Sequence, residues 1–312
     1  MPKKGYQSSW QYYMEDTPEN PTSAGIAFKL PGTITGNTPM EPRFNIKEFR
    51  GLKQPSSTDM RAVDSIEASK NEYAWSMTYI PMKAMAWNTY SVAYDFRHFH
   101  NLAMNASSST TLNGARTYGT GVATELRTFS IFKEIDNLQH WFSGCKISKL
   151  TAKCSVDNPV EITVEGLASN ATFANLAKTD ATTLRDGVPF MWQDSTVYID
   201  GVLATFCTAW EYSINNEAAS DHVLGDRDPK GIILQGRTID VAVTRQYNDT
   251  AQYANAKNNT AKSVTIVLDD GTDVNIGFRQ CKYDGHPIPG DVDSTQALIH
   301  VLRLKAEAMF TN

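Results

Sequence analysis

A histidine pair, a scattered set of cysteines and a turn of alternating charge are the places where this chain could hold chemistry. His98 and His100 stand two apart in a stretch, Ser91 to His100, whose alternation predicts a strand with Val92, Tyr94, Phe96, His98 and His100 on one face. Two imidazoles on one strand face can bind a metal, but the sequence places no third ligand, and packed or solvent-facing rings are the plainer reading. Cys145, Cys154, Cys207 and Cys281 form no Cys-x-x-Cys pair and have no histidine at ligand spacing, so they read as small buried apolar thiols. Cys145 and Cys154 are an odd number of residues apart on one strand and should point to opposite faces unless a bulge intervenes. Asp226 and Asp228 flank Arg227 in a turn, where a solvated salt cluster is expected in preference to an acid/base pair. No nucleophile elbow, phosphate-binding glycine loop, His-Glu-x-x-His helix or calcium loop occurs. Neither catalysis nor a metal or other cofactor is therefore expected.

The elements that would position these residues are strands. The central one is a hairpin from Gly144 to Gly166: Leu150, Ala152, Cys154 and Val156 alternate with Lys149, Thr151, Lys153 and Ser155, and after Asp157-Asn158-Pro159 come Val160, Ile162 and Val164 alternating with Glu161, Thr163 and Glu165. Folding at that turn sets Ser155 opposite Glu161 and Lys153 opposite Thr163, so lysines meet glutamates diagonally. A lone hairpin of this length is unstable in water, so its apolar face must pack on a second sheet or a neighbouring chain.

Alternation predicts further strands over 66–80, ended by Pro81, over 125–132, 190–199, 204–216 and 236–245. Residues 215–231, with the Asp226-Arg227-Asp228 turn, form the polar tip of a second long hairpin spanning 209–245. Val264, Ile266 and Leu268 return through Asp270-Gly271, which fits a type I′ turn, to Val274, Ile276 and Phe278. The stretch 297–310 suits either a helix or a strand, and the β surroundings favour the strand. Residues 105–121 read as loop, and Phe173, Leu176 and Ala177 suit a short helix or equally a loop. The first 60 residues hold so many prolines and glycines that long regular elements are not expected, yet Trp10, Tyr12, Phe28 and Phe44 are too apolar for a disordered tail. They predict an arm lying across its own barrel or a neighbour.

At 312 residues, 41% hydrophobic and 20% charged, the chain can build one large or two small β domains. A net charge of -5 argues against tight nucleic-acid binding, while transient passage of DNA remains compatible with it. No apolar run approaches a membrane span and the N-terminal residues lack the apolar core of a signal peptide, so synthesis in the cytoplasm and no membrane partner are expected.

From the Gly144-Cys145 opening through the return ending Glu165-Gly166-Leu167, the chain resembles the tail tube proteins of long-tailed viruses of bacteria and archaea. The likeness continues through Val197-Tyr-Ile-Asp-Gly201, Trp210-Glu-Tyr-Ser-Ile-Asn-Asn216 and Gly236-Arg-Thr-Ile-Asp240, and covers residues 125–310. The resemblance implies an all-β sandwich or barrel with a minor helix, whose copies form stacked rings in the virion tail. It also implies as partners the chain itself, a tail terminator, a tape measure and baseplate or tail-tip proteins, with DNA only transiently in a bore whose wall carries mostly carboxylates. Assembly would rest on Leu150, Ala152, Val156, Val160, Ile162 and Val164 of the hairpin and on Asp226, Arg227 and Asp228 of the tip. Length suggests a Pro/Gly-rich arm (1–60) and two related β domains (61–185 and 186–312), since one such sandwich needs roughly 100 to 150 residues. That gives a trimeric ring of pseudo-sixfold shape. The repeat is not visible as residue identity, and one sandwich with a long arm and large loops, in a hexamer, would absorb the same residues. A jelly-roll capsid or decoration protein also fits the alternation, and a carbohydrate-binding sandwich would use Trp75, Trp192 and Trp210 as platforms, although mid-strand Trp is more often core.

Overall fold

The computed structural model describes residues 9–15, 27–29, 32–34, 40–49, 65–83, 97–104, 116–119, 128–135, 138–173, 188–246, 255, 257–269, 274–284 and 299–311. Two-residue periodicity decides most of it. In β5 (Ser65–Pro81), Tyr73, Trp75, Met77 and Tyr79 are buried while Ala74, Ser76 and Thr78 between them are half-buried, as a strand with one face on a core requires. The chain is an all-β sandwich with a minor helix, α1 (Arg97–Met104), of eight residues.

The first half contributes β1 (Ser9–Met14), β2 (Ala27–Lys29), β3 (Gly32–Ile34), β4 (Met40–Phe49), β5, α1, β6 (Arg116–Gly119), β7 (Phe129–Ile135), β8 (Leu138–Ser155), β9 (Glu161–Ala168) and β10 (Asn170–Phe173). The second contributes β11 (Ser195–Ile199), β12 (Val202–Leu203), β13 (Cys207–Asn215), β14 (Ala218–Asp221), β15 (Gly231–Leu234), β16 (Thr238–Gln246), β17 (Lys262–Leu268), β18 (Val274–Tyr283), β19 (Ile299–Lys305) and β20 (Ala308–Thr311).

Several sequence expectations change. The N-terminal segment carries regular structure after all. β1 pairs with β7, burying Trp10 and Tyr12, and the ten-residue β4 pairs with β5 despite Pro42. Proline is tolerated there because, among the described residues, β4 is an edge strand. The predicted strand ending at His100 gives way to α1 from Arg97, because Phe99, Leu102 and Ala103 bury one helical face; residues 91–96 lie outside the described set. Within 105–121, Arg116–Gly119 is a strand on β20. Phe173 ends β10, so the short helix is not found at its first residue, and Leu176 and Ala177 lie outside the described residues. The predicted strand at 190–199 is interrupted by a 3-10 turn at Trp192–Asp194, which the Asp194 carboxylate holds by accepting the Met191 N–H at 2.8 Å. The C-terminal stretch is two strands, β19 and β20. The Asp270-Gly271 turn lies outside the described residues, while the β17–β18 ladder on either side of it is present.

The ladders of the first half recur in the second. β1–β7, β7–β8, β8–β10, β8–β9, β9–β5 and β5–β4 have counterparts in β11–β17, β17–β18, β18–β20, β18–β19, β19–β16 and β16–β13. The correspondence holds rung by rung. Phe129↔Cys145, a register shift, then Ile131↔Phe142 matches Lys262↔Cys281, a shift, then Val264↔Phe278. Ala171↔Phe142 matches Met309↔Phe278, and Trp75↔Gly166 matches Val241↔Leu304. The Ser169 N–H reaches the Ser143 carbonyl at 3.1 Å where Glu307 N–H reaches Arg279 carbonyl at 3.2 Å. One stretch repeats in residue type as well: Phe142-Ser-Gly-Cys145-Lys146 and Phe278-Arg-Gln-Cys281-Lys282. The counterpart of the 144–166 hairpin is thus β18–β19, and that of the 209–245 hairpin is β4–β5; the two hairpins do not correspond to each other.

Each set is a two-layer sandwich. Trp75 of β5 meets Phe129 of β7 edge-on at 5.7 Å, and Tyr212 of β13 meets Phe278 of β18 at 5.2 Å. The sets join through the seven-rung β8–β13 ladder, from Ala209↔Ser155 to Asn215↔Lys149, giving one sheet in the order β4-β5-β9-β8-β13-β16-β19-β18. The core is continuous across that junction.

Candidate assembly surfaces

The hairpin β8–β9 forms, but in a different register from the simple turn. Lys153 lies directly opposite Glu161, Thr151 opposite Thr163 and Lys149 opposite Glu165, where the sequence suggested diagonal pairs. The turn closes through Asn158, whose N–H reaches the Ser155 carbonyl at 3.0 Å, and its other residues bind neighbouring strands. Val156 N–H goes to the Thr208 carbonyl at 3.0 Å, Val160 N–H to Phe190 carbonyl at 2.8 Å, and Pro159 bridges Met191. Asp157, with φ 66°, turns the chain in the left-handed region.

Leu150, Ala152, Val160, Ile162 and Val164 are all buried, inside the chain's own core. Of the two possible covers for the apolar face, a second sheet of the same chain is the one found. Val156 is the exception: the strand ends at Ser155, so it leaves the alternation and stands 41% exposed in the turn. The bulge between Ile147 and Lys149 restores the phase, which is why Cys145 and Cys154 are both buried.

The other face of the long sheet is polar across its width. One row runs Glu161, Lys153, Glu211, Ala242, Arg303; the next runs Thr78, Thr163, Thr151, Ser213, Asp240, Lys305. Lys153 Nζ sits 2.8 Å from Glu161, and hydrogen bonding to Glu161 with the charge of Glu211 on its other side raises the ammonium's pKa. Thr78 and Thr163 share a hydroxyl hydrogen bond of 3.0 Å. This face interleaves carboxylates with cations.

The tip between β13 and β16 carries the two-stranded ribbon β14–β15 and folds back over the first set of ladders. Asp228 Oδ1 accepts from the Tyr73 hydroxyl at 2.5 Å and from Asn71 Nδ2 at 2.7 Å. Arg227 Nε donates to the Ser69 carbonyl at 3.0 Å, and Asn71 N–H to the Arg227 carbonyl at 2.8 Å. Asp226 pairs with Lys230 at 3.4 Å and accepts the Asp228 N–H. Two of the three tip residues therefore hold the tip to β5 of their own chain, in place of a free solvated cluster. Burial, then the Asp228 contact, pushes the Tyr73 phenol up to about 12. Leu224 is fully exposed at the outer end.

The junction is locked from the side by α1. His100 Nε2 bonds the Tyr212 hydroxyl at 2.5 Å, Asn216 Nδ2 donates to the carbonyls of Ala103 and Ile147 at 2.9 and 3.0 Å, and Arg237 Nη2 donates to the Ala103 carbonyl at 3.2 Å. A cation at a helix C-terminus satisfies carbonyls the helix leaves open. Positions 98 and 100 fall on a helix and not on the strand expected, and among the described residues no three His, Cys, Asp or Glu side chains are placed to hold a metal. Sequence reasoning missed Asn71, Tyr73, Asn216 and Arg237, whose roles depend on partners more than 20 residues away in the chain. It also missed the outer edge of β4.

Recurring antiparallel ladders that share one polar-faced sheet define an all-β sandwich protein. A family model described as phage tail tube protein matches residues 30–298, and the chain belongs to that family. It is a structural protein of the virion tail. No curated protein matches it. Among the described residues no helix is long and apolar enough to cross a membrane.

Proposed function

We propose that copies of this chain form rings that stack into a hollow tail tube through which viral DNA passes, each chain supplying two related wall units, so that a ring is a trimer of pseudo-sixfold shape. The observation that carries this reading is the recurrence of one ladder set on either side of the β8–β13 junction. A sheet that ends in open edges is prone to uncontrolled pairing, and ring closure removes the edges as barrel closure does. The polar face suits a bore: the β8 lysines Lys149 and Lys153 already face carboxylates of β9, which weakens their hold on phosphates and lets DNA slide. Leu150, Ala152, Val160, Ile162 and Val164 act from behind that wall by stiffening it, and the 226–228 tip shapes the axial contact. A tail terminator at one end, a tape measure within and baseplate or tail-tip proteins at the other are the further partners, and synthesis takes place in the host cytoplasm.

Image averaging of purified assemblies tests this. Tubes of uniform diameter whose top views hold three chains and six inner lobes are expected. Shells or monomers overturn the tube, and six separate chains round the axis overturn the doubled unit.

A further inference from the structure

At the end of the second ladder set away from the tip, Arg245 is half-buried without a partner of opposite charge among the described residues. It stands near the end of β16 on the core face, in phase with the buried Val241 and Val243. Its guanidinium Nε is shielded from solvent and meets no hydrogen-bond acceptor. A buried donor in that position costs free energy, and a charged one costs more, so the group calls for an explanation. The fold does not demand arginine there. Trp75↔Gly166 matches Val241↔Leu304, which places Arg245 where the first ladder set has Tyr79, a buried ring packed on Phe99 of α1 at 5.8 Å.

Three further groups of the same set gather at this end. Cys207 lies directly opposite Arg245 on β13, its thiol half-buried. Lys262, at the start of β17 in the facing layer, keeps only 17% of its side chain exposed and is held by Asp200 Oδ2 at 2.6 Å. Tyr283, at the end of β18, is half-buried against the core. Burial raises the pKa of both the Cys207 thiol and the Tyr283 phenol, while the charge of Arg245 pulls each of them down and that of Lys262 pulls the phenol down. Arg245 is therefore within electrostatic reach of the thiol and the phenol, and Lys262 of the phenol. Asp200 acts on the phenol as well, and it is already bound to Lys262.

We propose that this end of the second ladder set binds a small oxyanion, a phosphate or a carboxylate, held by Arg245 with Lys262 and the Tyr283 hydroxyl as further donors. The guanidinium fork matches either oxyanion with paired N–H bonds, and partial burial makes such charge-assisted bonds stronger than they are in water. The bound anion ties β16 in one layer to β17 in the other and leaves the tip and the β8–β13 junction untouched. The site is complete within one chain, so it stands apart from the ring reading.

The test titrates the purified full-length chain with inorganic phosphate and, in a parallel arm, with acetate, at an ionic strength held constant with sodium chloride. The thermal midpoint should rise and saturate in one arm or both. Arg245→Gln, which drops the charge and the fork, should weaken that binding by about tenfold or more, the size of one charge-assisted hydrogen bond. Saturation by phosphate alone assigns a phosphate group, saturation by acetate alone a carboxylate, and saturation by both the shared oxyanion chemistry. Alkylation of Cys207 gives a second readout on the unaltered protein: iodoacetate is an anion and iodoacetamide is neutral, and saturating phosphate or acetate should slow the first more than the second. Saturation that Arg245→Gln leaves unchanged, together with equal slowing of the two reagents, places the anion elsewhere and overturns the site. No saturation in either arm leaves the Arg245 Nε to water and overturns it as well.

Discussion

Cys145 and Cys281 occupy the same rung of two different ladders. Cys145 faces Phe129 and Cys281 faces Lys262, and each follows a residue in the left-handed region, Gly144 at φ 64° and Gln280 at φ 53°. Both thiols are buried, and burial raises their pKa, Cys281 to about 12 and Cys145 well above the usual thiol range. Reaction needs the thiolate. A maleimide titration at neutral pH should therefore modify the half-buried Cys207 first and leave Cys145 and Cys281 unreacted until denaturant is added. Equal labelling of all four in the native protein would contradict this packing.

The Tyr73–Asp228 bond makes the tip pH-sensitive at the alkaline end. The folded-state phenol is raised to about 12 from an ordinary value of 10.0, so folding favours its protonated form. Its contribution is complete below pH 10 and is lost as the pH rises through 12. Tip opening, followed by exchange of the Asn71 amide, should accelerate across that window in the wild type, and Tyr73→Phe should open the tip already at pH 8.

Reversing the charges of Asp226, Arg227 and Asp228 together removes the Asp228 acceptor and the Arg227 donor and places like charge where Asp226 meets Lys230. The expected result is a detached tip on a folded monomer with unchanged far-ultraviolet circular dichroism, and shorter tubes under the axial-contact reading. Tube lengths equal to wild type across a salt series would remove the tip from assembly.

Ile162→Asp should fail in the monomer before assembly is reached. Ile162 is 1% exposed within the core, and an unpaired carboxylate there costs roughly 4 kcal/mol or more. Chemical denaturation of the isolated chain reads this directly; a variant with wild-type monomer stability that does not assemble would place Ile162 at an interface instead.

Gly166→Ala probes the close approach of β9 to β5. A methyl group at Gly166 would come within 2.2 Å of the Trp75 ring and 2.5 Å of the Lys146 carbonyl, so strand or ring must shift. Overpacking of this kind costs about 1–3 kcal/mol. Thermal unfolding should fall accordingly, with a change in tryptophan emission, and the paired variant Gly166→Ala with Trp75→Leu should recover part of the loss.

Alternation made most strands legible: Tyr73, Trp75, Met77, Tyr79, Trp210, Tyr212, Ile214, Ile239, Val241 and Val243 stand at alternate positions of the expected strands and are all buried. What it could not supply was register and partner. The β8–β9 turn was read as closing on itself, and the bonds that Val156, Val160 and Pro159 make to distant strands shift the ladder. Helix α1 escaped because its first residue follows an alternating run, and the apolar spacing of Phe99, Leu102 and Ala103 is short. The repeat escaped because its counterparts share a bulge and a register more than residue types; Phe-x-x-Cys-Lys is the one stretch of identity among the described ladders, beside isolated matches such as Thr78 with Thr244. Pattern reading took the tip for a solvated turn, since nothing local to Asp228 announces Tyr73.

β8 is one unbroken strand that begins in one layer, paired with β7 and β10, and ends in the other, paired with β9 and β13. β18 repeats the arrangement. A strand shared in this way cannot slip in one layer alone. A one-residue error against β7 would travel past the Ile147/Lys149 bulge and turn Leu150, Ala152 and Cys154 out of the core. Misfolding in either layer is thus rejected by both, and a chain that completes its fold has been proofread twice by the same piece of backbone.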